Sequence, residues 1–327
     1  MNTAANSVAR ASRSVFEKVV VITRKTELEE LTMRFNTVSQ AQFYLEHAGR
    51  DFAPIAQAHA AYHEVLAGVR HTLPRSLKNQ VVERSFLPQF TFGEADLVIT
   101  IGPDGLVVNT AKYLQQQPIL PLNPDPQHID GVLLPFNAQN FSSALDRSLH
   151  NEQPLKKVTM AEAHLSDGQT LLGFNDLFIG ARTHVSARYE IAQGHGNRQR
   201  KELHSSSGII VSTGAGSSGW LQSIYAGAAG VVKALGGEVI TPINNGRMAW
   251  DTQELVYAVR EPFPSKITGT ALTFGVINKN QPLTITSHMA DNGVIFSDGV
   301  EADYLQFNAG STATIGIAKR QAHILVN

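Results

Sequence analysis

A carboxylate delivered to the end of a buried strand is placed to do chemistry, and Asp104 is such a residue. It sits at the tip of Gly102-Pro103-Asp104-Gly105, directly after the apolar, β-branched run 97–101. A run of that kind is the signature of a strand buried on both faces in a parallel sheet. Gly102 and Gly105 let the backbone turn sharply and come close to a ligand. Ligands bind at the carboxyl ends of strands in open α/β sheets. An ordinary strand-to-helix turn would carry the same residues, so this stretch alone leaves both readings open.

A second stretch has the chemistry of an anion site. The apolar run 208–211 leads into Ser212-Thr213-Gly214-Ala215-Gly216-Ser217-Ser218-Gly219-Trp220, and a helical pattern follows over 221–235. Small residues at the mouth of a helix leave backbone N–H groups free for an anion, and the helix dipole helps. The hydroxyls of Ser212, Thr213, Ser217 and Ser218 add donors. A helix cap built of small residues for close packing is the alternative. Gly214, Gly216 and Gly219 also spell G-x-G-x-x-G, which invites a dinucleotide-binding dehydrogenase. That reading needs an acid about 20 residues on, at the end of the next strand. Glu238 begins the run 238–241 instead of ending it, and no clear βαβ unit surrounds the motif, so this is the weaker reading.

His59 and His63 stand at i and i+4, a spacing that can hold a metal. Position 60 lacks the Glu of a metalloprotease helix. A solvated helix face is the preferred reading, and no metal site is assigned.

These residues need elements to position them. A chain of 327 residues, 43% hydrophobic and only 17% charged, has enough apolar material for about two domains and is not disordered over most of its length. A net charge of −1 lacks the basic excess of a nucleic-acid binder. No apolar run reaches the ~20 residues of a membrane span, and no basic amphipathic segment suits a membrane surface. Cysteine is absent, which removes disulfides and thiolate chemistry and fits a reducing compartment such as the cytoplasm. Residues 1–15 read as a flexible tail.

From 16 to 150 the pattern is α/β. Lys18–Thr23 is a buried strand, and Thr26 caps a helix whose first turn holds Glu27, Glu29 and Glu30. Helical periodicity continues over 40–48 and 54–69 and breaks at Pro74. Short strands are expected at 80–84 and 118–122 and helices at 107–117 and 141–149, with a proline-rich loop over 123–135. From 151 to 305 short alternating runs (157–165, 174–179, 186–191, 209–213) predict a β-rich domain. Gly194-His195-Gly196-Asn197 reads as a hairpin tip followed by a charged arm, and Asp298-Gly299 as a tight hairpin turn with Asp298 structural. Residues 314–326 read as a last strand-like run within the C-terminal segment 306–327.

Four motifs, in order, resemble those of the NAD kinase family. Gly102-Pro103-Asp104-Gly105 resembles the GGDG turn. Leu122-Asn123-Pro124-Asp125-Pro126, with Gly131-Val132-Leu133-Leu134-Pro135 after it, resembles the N-T-D-P…G-H-L-x-x-P run of the branch that includes mitochondrial NAD kinases. Asn175-Asp176 resembles the Asn-Glu pair. Ser206-Ser207-Gly208 with 212–220 resembles S-D-G…S-T-P-T-G-S-T-A-Y.

The resemblance implies a Rossmann-like α/β domain and a β-sandwich-like C-terminal domain with the active site between them. It also implies a final segment that returns to the first domain, and a homodimer or homotetramer. ATP and Mg²⁺, or another divalent cation, would phosphorylate the 2′-hydroxyl of the adenosine ribose of NAD. Asp104 would orient that hydroxyl and accept its proton. Gly102, Gly105, Asn123, Asn175, Asp176, Thr213, Gly214, Gly216, Ser217, Ser218, Trp220 and Ser223 would line the substrates. Three departures stand out: Pro103 for a glycine, Leu106 for the usual Thr or Asn, and Ser207 for Asp. Pro103 and Leu106 motivate a second reading, a nucleotide-binding sensor with weak or no turnover. A kinase of another small alcohol or a lipid is the third.

Overall fold

The structure, a computed structural model, describes residues 14–194, 196, 199–240 and 243–327. Most of the expected tail, His195 and Asn197 of the hairpin tip, Arg198 and Thr241 lie outside them. The chain divides into two compact units. One holds residues up to Thr110, Gln117–Leu155 and Ile324–Asn327; the other holds Ala111–Gln116 and Lys156–His323.

The first unit runs β1 (Lys18–Thr23), α1 (Glu27–Phe35), α2 (Val38–His47), α3 (Ala53–Thr72), β2 (Lys78–Glu83), β3 (Asp96–Ile101), α4 (Asp104–Ala111), β4 (Pro118–Asn123), β5 (Phe136–Asn137) and α5 (Phe141–Leu149). The strands pair in the order β2-β1-β3-β4-β5, every pair parallel. All six residues of β3 are buried, which is why four of them, Leu97, Val98, Ile99 and Ile101, are apolar: both faces are covered. Tyr62 and Val69 of α3, with Phe141 and Leu145 of α5, pack into one core with Val19, Val21, Leu97, Ile99 and Leu120. The cap on α1 is reciprocal. Thr26 Oγ1 accepts the Glu29 N–H (3.3 Å) and Glu29 Oε2 accepts the Thr26 N–H (2.7 Å).

The helix expected at 107–117 is instead Asp104–Ala111. It begins earlier because the Pro103 carbonyl accepts the Leu106 N–H (2.9 Å) and Leu106 is buried. It stops where Lys112 leaves to bury its ammonium in the second unit, 2.9 Å from Ser297 Oγ and 3.7 Å from Asp298.

The second unit is β-rich, as its alternating runs predict. Its strands are β6 (Leu155–Leu165), β7 (Thr170–Gly173), β8 (Asp176–Ala181), β9 (Ala187–Gln193), β10 (Arg200–Ser206), β11 (Ile209–Ser212), β12 (Leu255–Val259), β13 (Phe274–Ile277), β14 (Leu283–Ser287), β15 (Gly293–Ser297), β16 (Val300–Gln306) and β17 (Thr312–Leu325). An antiparallel sheet runs β13-β12-β11-β8-β15-β16, and a second antiparallel run is β10-β9-β14-β17, with β6 beside β17 and β7. Alternate residues of the two faces meet in one core: Ile179, Ile209, Val211, Tyr257 and Ile295 from the first, Tyr189, Ile191, Ile285, Ala313 and Ile315 from the second. That is sandwich packing. The helix α6 (Trp220–Ala234) lays Leu221 against Val256 and Ala258 on the outer face. Residues 238–240 form no strand. No helix among the described residues is long and apolar enough to cross a membrane.

Burial decides which strand substitutions hurt. Ile99→Ala, at a side chain with no solvent exposure, costs about 2–5 kcal/mol. Val81→Ala, on the edge strand β2 at 37% exposure, costs under about 1 kcal/mol. Urea midpoints of the two variants against the parent protein check the contrast.

Candidate active site

In the first unit, Asp104 opens α4 at the carboxyl end of β3, as the sequence places it. Gly102 before it has φ of 156°, and a Cβ there would lie only 3.0 Å from Leu106 Cδ2, so glycine fits here and larger residues crowd the turn. The Asp104 carboxylate is engaged. Its Oδ2 accepts the Val132 N–H (3.0 Å) and its Oδ1 the Leu133 N–H (3.1 Å). The turn is thereby joined to the loop that resembles G-H-L-x-x-P. Burial pushes the Asp104 carboxyl above its ordinary value, against the opposing pull of those two N–H groups. Each oxygen still has a lone pair for a substrate hydroxyl. Asn123 is likewise engaged by its own loop: Nδ2 donates to the Ile129 carbonyl (2.9 Å) and Oδ1 accepts the Asp125 N–H (2.9 Å).

Beside this turn, at the ends of β1, β3 and β4, lies a pocket of about 340 Å³ lined by Arg24, Lys25, His59, Gly102, Pro103 and Asp125, among others. Two cations at the carboxyl end of a parallel sheet suit a phosphorylated ligand.

The second unit gathers the other expected residues around a carboxylate to which the sequence assigns a structural role only. The Asp298-Gly299 turn forms as predicted, with φ of 56° and 69°. The Asp298 side chain then turns inward. Its oxygens accept the N–H groups of Phe174 (3.1 Å), Asn175 (2.7 Å) and Asp176 (3.3 Å), and Lys112 Nζ stands 3.7 Å away. Three backbone bonds to one carboxylate fix the turn that bears Asn175 and Asp176. Asp-Gly is the available signal; nothing in the sequence shows which way its side chain points, or that Lys112 meets it.

The Ser212–Trp220 stretch docks on the same turn. Thr213 donates its backbone N–H to the Asn175 carbonyl (2.9 Å) and its hydroxyl to the Phe174 carbonyl (2.6 Å). Gly214 and Gly216 permit close approach, but to protein: a Cβ on Gly216 would lie 2.0 Å from the Asn175 carbonyl oxygen, and one on Gly214 1.9 Å from that of Ala249. Ser217 is likewise engaged, donating to the Gly214 carbonyl (2.7 Å) and accepting the Met248 N–H (2.9 Å). Ser218 and Ser223 are exposed. The dehydrogenase reading fails here: β11 lies between antiparallel neighbours, and the strand that should end in the acid is absent at 238–240.

Trp220 lines a cavity of about 440 Å³ with Phe178, Phe296, Tyr304, Arg182 and Arg260. Its ring stacks on Phe178 at 6.0 Å, and Arg260 lies over it at 5.4 Å. Aromatic faces beside guanidinium groups are suited to a planar ring and an anion on one ligand.

Burial, with the Asp298 charge beside it, pushes the Asp176 carboxyl up to about 7. A folded-state value raised above that of the unfolded chain means the folded protein holds the proton longer. Stability from this group therefore falls as pH rises from about 4 to about 7 and is level above. Asp176→Asn should flatten that fall, which thermal unfolding across this pH range measures.

No protein-family model matches the chain. It is 30% identical to an NAD kinase of Acidithiobacillus ferrooxidans over 169 residues, 48% of this chain and 51% of that protein. The match thus spans about half the length of that relative. Two solved structures share the fold along nearly the whole chain. An NAD kinase from Archaeoglobus fulgidus in complex with ATP superposes with a TM-score of 0.53 at 14% identity, covering 94% of each chain. Yeast NADH kinase complexed with NADH gives 0.57 at 13% identity, covering 95% of this chain and 83% of that one. The resemblance carried by the four motifs therefore holds at the level of the fold as well.

Proposed function

We propose that this chain, which has the fold of the NAD kinases, transfers a phosphoryl group from ATP to the 2′-hydroxyl of the adenosine ribose of NAD, giving NADP. The observation that carries the reading is Asp104 at the carboxyl end of β3, on the first turn of α4, in a turn that resembles GGDG. The ordered motifs and the A. ferrooxidans relative support it. The Thr213-Gly214-x-Gly216-Ser217-x-x-Trp220 form supports the branch that includes mitochondrial NAD kinases. On the same resemblance we assign a homodimer or homotetramer, the cytoplasm, and domains over 16–150 and 151–305 with 306–327 returning to the first.

In this reaction Asp104 accepts a hydrogen bond from the 2′-hydroxyl and then its proton. Burial that raises its carboxyl makes it a somewhat better base than an ordinary Asp, yet still a weak one for an alcohol. Positioning therefore supplies most of the rate. Mg²⁺ arrives with ATP as substrate and neutralises charge on the transferred group. Arg24 and Lys25, in the pocket beside Gly102, are placed to hold phosphate. Asn175 and Asp176 hold polar groups of the dinucleotide, and Ser218, just before α6, with Trp220 and Ser223 in its first turn, lies along it. The remaining residues of the 213–217 stretch act by shaping the turn that bears Asn175.

One observation favours the second reading, a nucleotide-binding sensor without turnover: both Asp104 oxygens are already bonded to the 131–133 loop. Purified protein given NAD, ATP and Mg²⁺ should form NADP, and Asp104→Asn should lower kcat by about 10²–10⁴-fold while NAD still binds. NAD binding with no NADP from the parent protein would establish the sensor; equal rates in parent and variant would remove Asp104 from the chemistry. Trp220→Ala should raise KM for NAD with kcat little changed, the pattern of lost ground-state binding.

A further inference from the structure

The imidazoles of α3 do not face solvent alone. His59 and His63 lie with ring centroids 4.4 Å apart, and Glu29 of α1 comes to meet them, its Oε1 3.1 Å from His63 Nε2. One ligand atom from each of the three lies within 4.8 Å of the others. In a tetrahedral site with metal–ligand bonds of about 2.0–2.1 Å, neighbouring ligand atoms are about 3.3 Å apart, so small side-chain adjustments would close the set on one ion.

What surrounds the three groups also favours a metal. Ligating carboxylates and imidazoles ordinarily have their other polar atom held by a hydrogen bond. Glu29 Oε2 is held by the Thr26 N–H (2.7 Å), which leaves Oε1 free to point at the histidines. Thr26 Oγ1 lies 2.8 Å from His59 Nδ1. With Nδ1 as the donor in that bond, the lone pair of His59 is on Nε2. The capping box of α1 thus doubles as the support of two ligands. All three residues are only partly buried, so an ion has a way in. Three protein ligands leave a fourth position for water or a ligand atom, and His59 also lines the 340 Å³ pocket beside Gly102.

We propose that Glu29, His59 and His63 form a binding site for a divalent transition-metal ion of nitrogen-and-oxygen preference, of the zinc class. The ion ties α1 to α3 at the wall of that pocket. The ion is distinct from the Mg²⁺ that accompanies ATP. Hard cations with all-oxygen preference do not suit two imidazoles.

The test uses the full chain, tag-free and stripped of metal with a chelator, without nucleotide. Zn²⁺ is titrated calorimetrically, and Co²⁺ is followed by its visible absorption, which reports imidazole ligation and geometry. About one ion per chain should bind, with Kd in the micromolar range or tighter. His59→Ala/His63→Ala should abolish that binding, and Glu29→Gln should weaken it at least about tenfold, the lower end of what loss of a single supporting contact costs such sites. Glu29→Gln keeps the fold intact as a control, because Gln at that position also completes a capping box; circular dichroism verifies this for each variant. Zn²⁺ should raise the Tm of the parent protein and leave the double variant unmoved. Absence of binding at 100-fold molar excess, or equal binding by parent and double variant, would overturn the site and reduce the cluster to a His63–Glu29 hydrogen bond.

Discussion

A carboxylate removed from water must find its hydrogen bonds inside the protein, and Asp298 finds them on one turn of backbone. Its two oxygens take the N–H groups of three consecutive residues, Phe174, Asn175 and Asp176. Burial drives its carboxyl upward, while Lys112 and those N–H groups hold it back. An unpaired charge at this depth would cost several kcal/mol. The arrangement therefore tolerates little movement: the Asn175–Asp176 turn, the Asp298-Gly299 hairpin and Lys112 are positioned by one balance. Thr213 and Gly216 then register the next segment on the same turn, through the Asn175 carbonyl and the space a side chain would fill.

The Gly102–Gly105 turn is built on different lines. Pro103, which fixes φ and lacks an N–H, stands directly before the helix, where its carbonyl serves the first turn and no donor is missed. Leu106 faces the core, next to Gly102. Both departures from the family pattern thus have local roles in holding the turn. Asp104 is steadied from the other side by the 131–133 loop, so the carboxylate is positioned by two segments that are far apart in sequence.

The sequence is legible where one residue type answers to one cause. Lys18–Thr23 and Phe141–Leu149 have the bounds expected of them, because a buried parallel strand and an amphipathic helix each leave an unambiguous pattern. Thr26, with glutamates in the next turn, announces its cap. The helix after Asp104 differs from its pattern at both ends. Its start depends on a proline carbonyl, and its end on an ammonium that finds a carboxylate 186 positions later, as Lys112 and Asp298 are numbered. Gly214 and Gly216 are harder to read for a related reason. They admit a close neighbour, and composition does not say whether that neighbour is phosphate or peptide. For Asp104 the motif locates the residue, but not the two N–H groups that occupy it.

The path of the chain has a consequence for its synthesis. The first unit needs Ile324–Asn327: Leu325 belongs to its core, and the Val326 N–H bonds the Pro154 carbonyl (2.9 Å). The intervening residues 156–323 belong to the second unit. At the roughly 5–20 residues per second of a ribosome, the α/β portion waits on the order of ten seconds or more, incomplete, while the β portion emerges. Vectorial folding from the N-terminus cannot finish it.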